Sequence, residues 1–223
     1  MKTIALVTQK GGSGKSSLAI GLAVAAQQEG ERVFLLETDK QGTVTSWGLR
    51  RAAEEPGMDR VSGGPELEKA LRLLEREGYS LAIIDTAGTH SVTVTAAIRL
   101  ADLCLIPARP SPADIEAANP TLEAIRKLGR PFAFVLNQTP SRSFRLSEAA
   151  RALDRWGVLA QPHMVQRNDH QDALGAGLGV TEFAPDGKAA GEIRALWAWV
   201  KTCMNKTDSD AKGCGDGQQR AAS

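Results

Sequence analysis

The chain has 223 residues, which suits one α/β domain and is long enough to bury a full core. Its 27 Lys and Arg residues nearly balance its 26 Asp and Glu residues, so the net charge of +1 excludes a global basic field and leaves only a local patch for nucleic acid. The 3 cysteines lack metal-ligand spacing and no apolar run approaches the roughly 20 residues of a membrane span, so we expect a cytoplasmic protein.

Apolar runs bounded by turn signals predict the strands. The runs are continuous rather than alternating, which is typical of strands buried on both faces of a parallel sheet. Between them, apolar residues recur at helical spacing over residues 67–74, 146–153 and 193–200. This alternation predicts an α/β fold, P-loop NTPase-like, with a mostly parallel twisted sheet, helices on both faces and ligands at the carboxyl ends of the strands. The predicted strands are Ile4–Val7, Val33–Leu36, Leu81–Ile84, Leu103–Ile106 and Phe132–Leu136, with a weaker candidate near Val158–Leu159.

The loop after the first predicted strand runs from Lys10 to Ser17 and precedes an apolar-periodic stretch that begins at Leu18. Strand, glycine-rich loop and helix form the context in which backbone N–H groups and a helix N-terminus bind phosphate. A chance glycine-rich turn is the alternative, which the register of two lysines, a hydroxyl and three glycines disfavours. Lys15 is placed to reach the β- and γ-phosphates, and the Ser16 hydroxyl is placed to ligate Mg²⁺. The other predicted phosphate-binding residues are Gly11, Gly12, Ser13, Gly14 and Ser17.

A second lysine, Lys10, opens this loop and does not belong to the ordinary pattern. With it, the segment resembles the deviant Walker A motif of the ParA/MinD family of P-loop ATPases. The resemblance implies an ATPase domain over residues 1–204 and an ATP-bound homodimer in which Lys10 reaches the phosphates held by the partner subunit. Segments at 107–114, 165–167 and 187–193 are similar to those of small ParF-like plasmid partition proteins. Residues 205–223 lack apolar periodicity and are predicted to be a disordered polar tail.

The segment after the second predicted strand, residues 37–41, resembles the family's Asp-x-Asp-Pro-Gln motif. The resemblance implies that Asp39 orients the attacking water and helps to hold the magnesium shell. The alternative is that Asp39 caps the helix that starts near Gln41. Two positions depart from the motif, since Glu37 replaces the first aspartate and Lys40 replaces the proline. The loop is therefore expected to be more mobile than in the family.

The third predicted strand ends in Asp85, which gives a Walker B pattern. Asp85 would bind Mg²⁺ through a water, and Gly88 would serve as the hinge of a switch loop. A simple turn residue is the alternative for Asp85. The family more often has two prolines where this chain has Ala87 and Gly88.

Asn137 follows the fifth predicted strand, where P-loop proteins contact the nucleotide base. The chain lacks the lysine and aspartate that GTPases place there, which favours ATP. Asn137 matches the family's adenine-contacting asparagine, and a turn residue is the alternative.

The family that the chain resembles couples ATP to position, because an ATP-bound dimer binds a large surface and a partner stimulates hydrolysis. The resemblance implies a nucleoid-associated ATPase that binds DNA without sequence preference, works with a ParB-like adaptor and partitions plasmid or chromosomal DNA. Slow basal hydrolysis is expected, because no arginine is identifiable as a finger in cis. For the DNA contacts, an ordinary solvated surface is the alternative. The candidates are Arg142, Arg145, Arg167, Lys188, Arg194 and Lys201.

Two further functions stay open at this point. A positioning ATPase for a protein cargo, such as a chemoreceptor cluster or a microcompartment, would use hydrolysis as a timer. A carrier enzyme on the same fold is less favoured, because a cluster donor needs bridging cysteines and Cys104 alone does not supply them. Membrane binding is not expected, because the polar segment after Met204 lacks an amphipathic helix.

Overall fold

The computed structural model describes residues 1–141 and 144–209, which form one sheet with helices on both faces. The strands are β1 (Lys2–Leu6), β2 (Val33–Glu37), β3 (Gly57–Arg60), β4 (Leu81–Asp85), β5 (Leu103–Ala108) and β6 (Phe132–Leu136). They lie in the order β3-β2-β4-β1-β5-β6, and every pairing is parallel. The predicted fold class is confirmed.

Helices connect the strands and cover the sheet. They are α1 (Lys15–Gln28), α2 (Thr43–Arg50), α3 (Gly64–Arg76), α4 (Val92–Leu100), α5 (Pro112–Glu116), α6 (Asn119–Lys127), α7 (Phe144–Asp154), α8 (Asp169–Gly175), α9 (Val180–Phe183) and α10 (Lys188–Ser209). Successive side chains of a strand point to opposite faces, so β1 places Ile4 and Leu6 in one core and Ala5 in the other. The first core includes α1 and α10, and the second includes α3, α4 and α6.

The five apolar runs form strands as predicted, and β3 was missed. Its residues, Gly57–Arg60, are half-buried or exposed, because β3 is an edge strand and needs no apolar run. The weaker candidate forms no strand: Leu159 makes only an isolated bridge with Phe134.

The last helix continues to Ser209, five residues beyond the predicted end of the domain at residue 204. Residues 210–223 lie outside the described part, so the predicted tail stays a prediction there. Across residues 1–141 and 144–209, no helix combines the length and the apolar character that crossing a bilayer requires.

Candidate active site

Loops at the carboxyl ends of the strands enclose a cleft of about 1010 Å³. Because β1, β4 and β2 are neighbours in the sheet, the loops that follow them meet at one edge. The cleft brings together the predicted residues Lys15, Ser16, Asp39 and Gly88. It is also lined by Arg60, which the sequence did not suggest because β3 itself was not predicted.

The phosphate loop has the backbone geometry that its glycines were expected to supply. Gly12 and Gly14 have positive φ values of 74° and 86°, a region that favours glycine. Gly14 precedes α1 as its N-cap, and a Cβ there would lie 2.3 Å from the Asn137 amide nitrogen. Since no side chain caps α1, its first N–H groups face the cleft without an internal acceptor. An anion is the matching ligand for this helix end.

Lys15 begins α1 and is only 7% exposed. Its ammonium donates to the carbonyl of Lys10 at 3.4 Å, so the loop curls around it. Burial lowers the pKa of Lys15 below its usual value, and the carboxylates of Asp85 and Asp39 partly offset that effect. A phosphate chain would add negative charge beside this buried ammonium.

Asp85 is wholly buried at the end of β4 and accepts a 2.6 Å hydrogen bond from the Ser16 hydroxyl through Oδ2. Burial raises the pKa of Asp85 to about 7, although the Ser16 bond and the Lys15 charge act in the opposite direction. Its other oxygen, Oδ1, has no hydrogen-bond partner among the described residues. An orphaned buried carboxylate oxygen is costly unless a ligand satisfies it.

The oxygen donors around Asp85 fit Mg²⁺. A hydroxyl on Ser16, the orphaned oxygen of Asp85 and the nearby carboxylate of Asp39 are the hard ligands that this ion prefers. Within the described residues, no group of three or more His, Cys, Asp or Glu side chains could hold a metal ion by itself. Mg²⁺ binds through one or two carboxylates together with waters and phosphates.

Asp39 lies in the loop between β2 and α2, and its Oδ1 accepts from the N–H of Gln41 at 2.9 Å. The capping role considered for Asp39 belongs to Glu37, whose carboxylate accepts from the N–H groups of Val44 and Thr45 at 2.8 and 3.0 Å. These are the second and third residues of α2. Asp39 therefore does not cap α2, and it lines the cleft.

Asn137 and Gln138 tie the end of β6 to the phosphate loop. The Asn137 amide donates to the carbonyl of Ser13 at 2.8 Å, and the Gln138 amide donates to that of Gly12 at 3.0 Å. Gln138 has a positive φ of 51°, a rare value for a residue other than glycine. Asn137 thus braces the loop, while its contact with adenine stays a prediction. The part played by Gln138 was missed, because it lies in a turn with no recognisable motif.

Gly88 and Lys10 flank the phosphate loop. A Cβ on Gly88 would lie 3.4 Å from both the Gly11 nitrogen and the Lys15 ammonium, so the loop after β4 approaches closely here. The Lys10 ammonium makes no hydrogen bond or ion pair with any described residue. Its charge acts on Asp114, whose pKa is lowered because bonds from Ser111 and Arg109 outweigh the effect of burial.

The predicted DNA-contacting cations differ in how they are paired. Arg167 binds Glu192, with 2.6 Å between its guanidinium and Oε1, and Lys201 forms an ion pair with Glu29. Arg194 donates to a backbone carbonyl at 2.7 Å, and Lys188 is exposed at the start of α10. Arg142 and the side chain of Arg145 lie outside the described residues.

Known proteins resemble this chain in sequence and in fold. The profile of the CobQ/CobB/MinD/ParA nucleotide binding domain matches residues 4–180. Maintenance of carboxysome distribution protein A of Gloeobacter kilaueensis is 31% identical over 199 residues, which cover 87% of this chain and 89% of that protein. Chromosome-partitioning ATPase Soj of Thermus thermophilus is 32% identical over 136 residues, covering 48% of this chain and 54% of Soj.

Among solved structures, the MinC:MinD cell division protein complex of Aquifex aeolicus contains a chain that superposes with a TM-score of 0.76. It is 14% identical and covers 91% of this chain and 96% of that one, so it shows the fold alone. The profile match spans more than half of the chain and includes the phosphate loop, Asp39, Asp85 and Asn137. The chain belongs to the CobQ/CobB/MinD/ParA family of nucleotide-binding proteins and is a ParA/MinD-type ATPase.

Proposed function

We propose that the chain is a Mg²⁺-dependent ATPase that closes into an ATP-bound sandwich homodimer, binds DNA without sequence preference and partitions plasmid or chromosomal DNA over the nucleoid. Lys10 is the observation that supports this most directly. It adds a second lysine to a loop that already buries Lys15, and its ammonium has no bonded partner among the described residues. Phosphates bound by a second copy of the chain would give the Lys10 ammonium a partner of opposite charge.

Each subunit contributes the same set of groups. The loop N–H groups and Lys15 bind the β- and γ-phosphates, and Asn137 contacts adenine. Ser16 and Asp85 would hold Mg²⁺ beside Asp39, and the bound ion would neutralise charge on the phosphates. Asp39 orients the attacking water. Lys10 of the partner subunit stabilises the charge that develops on the γ-phosphate, so a single subunit hydrolyses ATP slowly.

Partition of DNA is supported by a relative whose name states chromosome partitioning, Soj of Thermus thermophilus. In this cycle the ATP-bound dimer holds non-specific DNA, and a ParB-like adaptor on the cargo stimulates hydrolysis. Non-specific DNA binding needs a handful of phosphate contacts, and it weakens steeply with salt. Among the candidates, Lys188 and Arg194 have no carboxylate partner among the described residues.

A protein assembly is the second candidate cargo. The observation in its favour is the relative from Gloeobacter kilaueensis, whose name states maintenance of carboxysome distribution and whose match spans most of both chains. The ATPase cycle would be the same, and only the adaptor would differ. If removal of the chain leaves plasmid and chromosome inheritance intact but misplaces a protein assembly, this candidate replaces the first.

Lys10→Ala tests the sandwich dimer. We expect the variant to bind ATP as the wild type does and to remain monomeric, because the lysine acts across the interface. Sedimentation velocity with ATP and Mg²⁺ measures the oligomer, and nucleotide titration measures binding. Lys15→Ala should lose nucleotide binding itself. Lys40→Ala is the control, since it removes an exposed lysine that lines the cleft and should dimerise normally. A dimeric Lys10→Ala protein would contradict the proposal.

DNA binding is tested by retention of the protein on duplex DNA with ATP or ADP across a salt series. We expect retention with ATP alone, with an affinity that falls as salt rises. Equal retention with both nucleotides, or none with either, would contradict the nucleoid part of the proposed function.

A further inference from the structure

Glu37 is a third carboxylate at the carboxyl ends of the strands, near Asp39 and Asp85. The proposed hydrolysis of ATP assigns it no role. It is the last residue of β2 and is wholly buried. Both of its oxygens accept hydrogen bonds within the protein, so neither is orphaned as Oδ1 of Asp85 is. Its bonds show what it does instead.

Those bonds close the Asp39 loop across its base. Oε1 accepts from the N–H of Val44 at 2.8 Å, and Oε2 accepts from the N–H of Thr45 at 3.0 Å and from the Thr45 hydroxyl. The N–H groups of a first helical turn have no acceptor within the helix. The N-cap of α2 is Gly42, which has no side chain, so Glu37 serves as the cap from upstream of the loop.

Both ends of the loop are attached to rigid parts of the molecule. At the first end, the Thr38 N–H donates to the Asp85 carbonyl at 2.9 Å. At the second end, α2 is held by Trp47, which is wholly buried and donates to the Leu178 carbonyl at 3.1 Å. Just beyond α2, Arg51 binds both oxygens of Glu182 at 2.8 and 2.9 Å. Glu37 therefore joins a fixed strand end to a fixed helix.

We propose that Glu37 is the positioning residue that holds Asp39 in its working geometry, a role that rests on the proposed function of Asp39 in orienting water. Neither Asp39 nor Lys40 is a proline, so no ring fixes φ in this part of the loop, and the Glu37 bonds restrict its base. When the Glu37 carboxylate is lost, the first turn of α2 loses its acceptors and Gly42, at φ 70°, becomes a hinge. A displacement of about 1 Å at Asp39 is enough to slow the reaction about 100-fold.

Glu37→Gln tests this role, because it keeps the shape and turns an acceptor oxygen into a donor NH₂ that faces an N–H group. We expect kcat at saturating Mg²⁺ and ATP to fall about 10- to 100-fold, with the Kd for ATP and the dimer fraction within about twofold of wild type. In an Asp39→Ala background, Glu37→Gln should cause no further fall, since it acts through Asp39.

Asp102→Asn is the matched control. Asp102 also accepts from a backbone N–H, that of Thr3 at 2.8 Å, but it lies at the opposite edge of the sheet, where β1 begins. The same loss of a carboxylate there should leave kcat unchanged. Should Glu37→Gln fail to fold, Thr45→Val removes only the hydroxyl donor, and we expect it to lower kcat about fivefold, again only when Asp39 is present.

Three results would overturn the inference. An unchanged kcat in folded Glu37→Gln and Thr45→Val proteins would make Glu37 a cap and nothing more. An equal fall with and without Asp39, or a raised Kd for Mg²⁺ and ATP, would mean that Glu37 acts on Asp85. If Asp39→Ala alone leaves hydrolysis unchanged, the proposed function of Asp39 fails first and the role of Glu37 falls with it.

Discussion

Two buried carboxylates end neighbouring strands of the sheet and differ in how far the protein satisfies them. Glu37 ends β2, and both of its oxygens accept hydrogen bonds from α2. Asp85 ends β4, and its Oδ1 has no partner among the described residues. A satisfied buried acid belongs to the scaffold, whereas an unsatisfied one carries a desolvation cost that a ligand can relieve. The contrast distinguishes a carboxylate that the protein satisfies by itself from one that is proposed to receive a cation.

Asp85→Asn should have the largest effect on hydrolysis. The amide keeps the size of the side chain and still accepts from Ser16, but it loses the charge that a bound cation needs. We expect kcat to fall about 10³-fold or more, because the metal contributes several kcal/mol of transition-state stabilisation. Turnover measured against Mg²⁺ concentration checks this. If the variant hydrolyses ATP at more than about a tenth of the wild-type rate, Asp85 does not receive the cation and does not differ from Glu37 in this respect.

The stability of the nucleotide-free protein should depend on Asp85 in the opposite sense from an ordinary ion pair. Burial raises the pKa of Asp85 from 3.8 to about 7, so the unfolded chain releases this proton at lower pH than the folded chain does. The contribution of Asp85 to the free energy of unfolding therefore falls as pH rises from about 4 to 7, and it is constant above that range. We expect a contribution of about 2–4 kcal/mol, measured by urea unfolding at pH 5 and pH 8.

Comparison with Asp85→Asn isolates the contribution of Asp85 to the pH dependence of the free energy of unfolding. The variant should lack that part of the pH dependence and be more stable than the wild type at pH 8 without Mg²⁺ and ATP. If the two proteins lose stability equally between pH 5 and pH 8, the ionised Asp85 carboxylate does not carry the desolvation cost that its orphaned oxygen indicates.

The same contrast explains what the sequence could and could not predict. Asp85 ends a strand and Lys15 begins the helix after one, both within recognisable motifs, so their predicted roles follow from local pattern. The role of Glu37 does not, because its partners lie beyond the loop and a capping signal is expected next to the helix start. Only the folded chain shows that Asp39 is relieved of the capping role. Strand β3 escaped prediction for a different reason, since its edge position imposes no apolar pattern.

Charge pairing over long sequence distances is equally invisible to local pattern. Arg167 and Glu192 are 25 residues apart, and Lys201 and Glu29 are 172 residues apart. As isolated letters, all the candidate cations are equivalent, and only the fold separates paired from unpaired ones. Within the described residues, the candidate DNA-contacting cations thus also divide into satisfied and unsatisfied groups.

The smallest predicted effect is on the salt dependence of DNA binding, and it compares an unpaired cation with a paired one in the variants Lys188→Ala and Arg167→Ala. Lys188 is exposed and has no carboxylate partner among the described residues, so it is free to release a counterion from DNA. Its loss should reduce the slope of log affinity against log salt by about 2 per dimer, one unit per copy. Arg167 already neutralises Glu192, so its loss should leave the slope within about 0.5 of wild type.

Fluorescence anisotropy of duplex DNA with ATP, over a series of salt concentrations, measures both slopes. The comparison is matched, because each variant removes one cation near the start of α10. Equal changes would mean that pairing with Glu192 does not withhold Arg167 from DNA. A larger change for Arg167→Ala than for Lys188→Ala would mean that the Arg167–Glu192 ion pair opens when DNA binds. An ion pair in the free protein would then not exclude a cation from DNA contact.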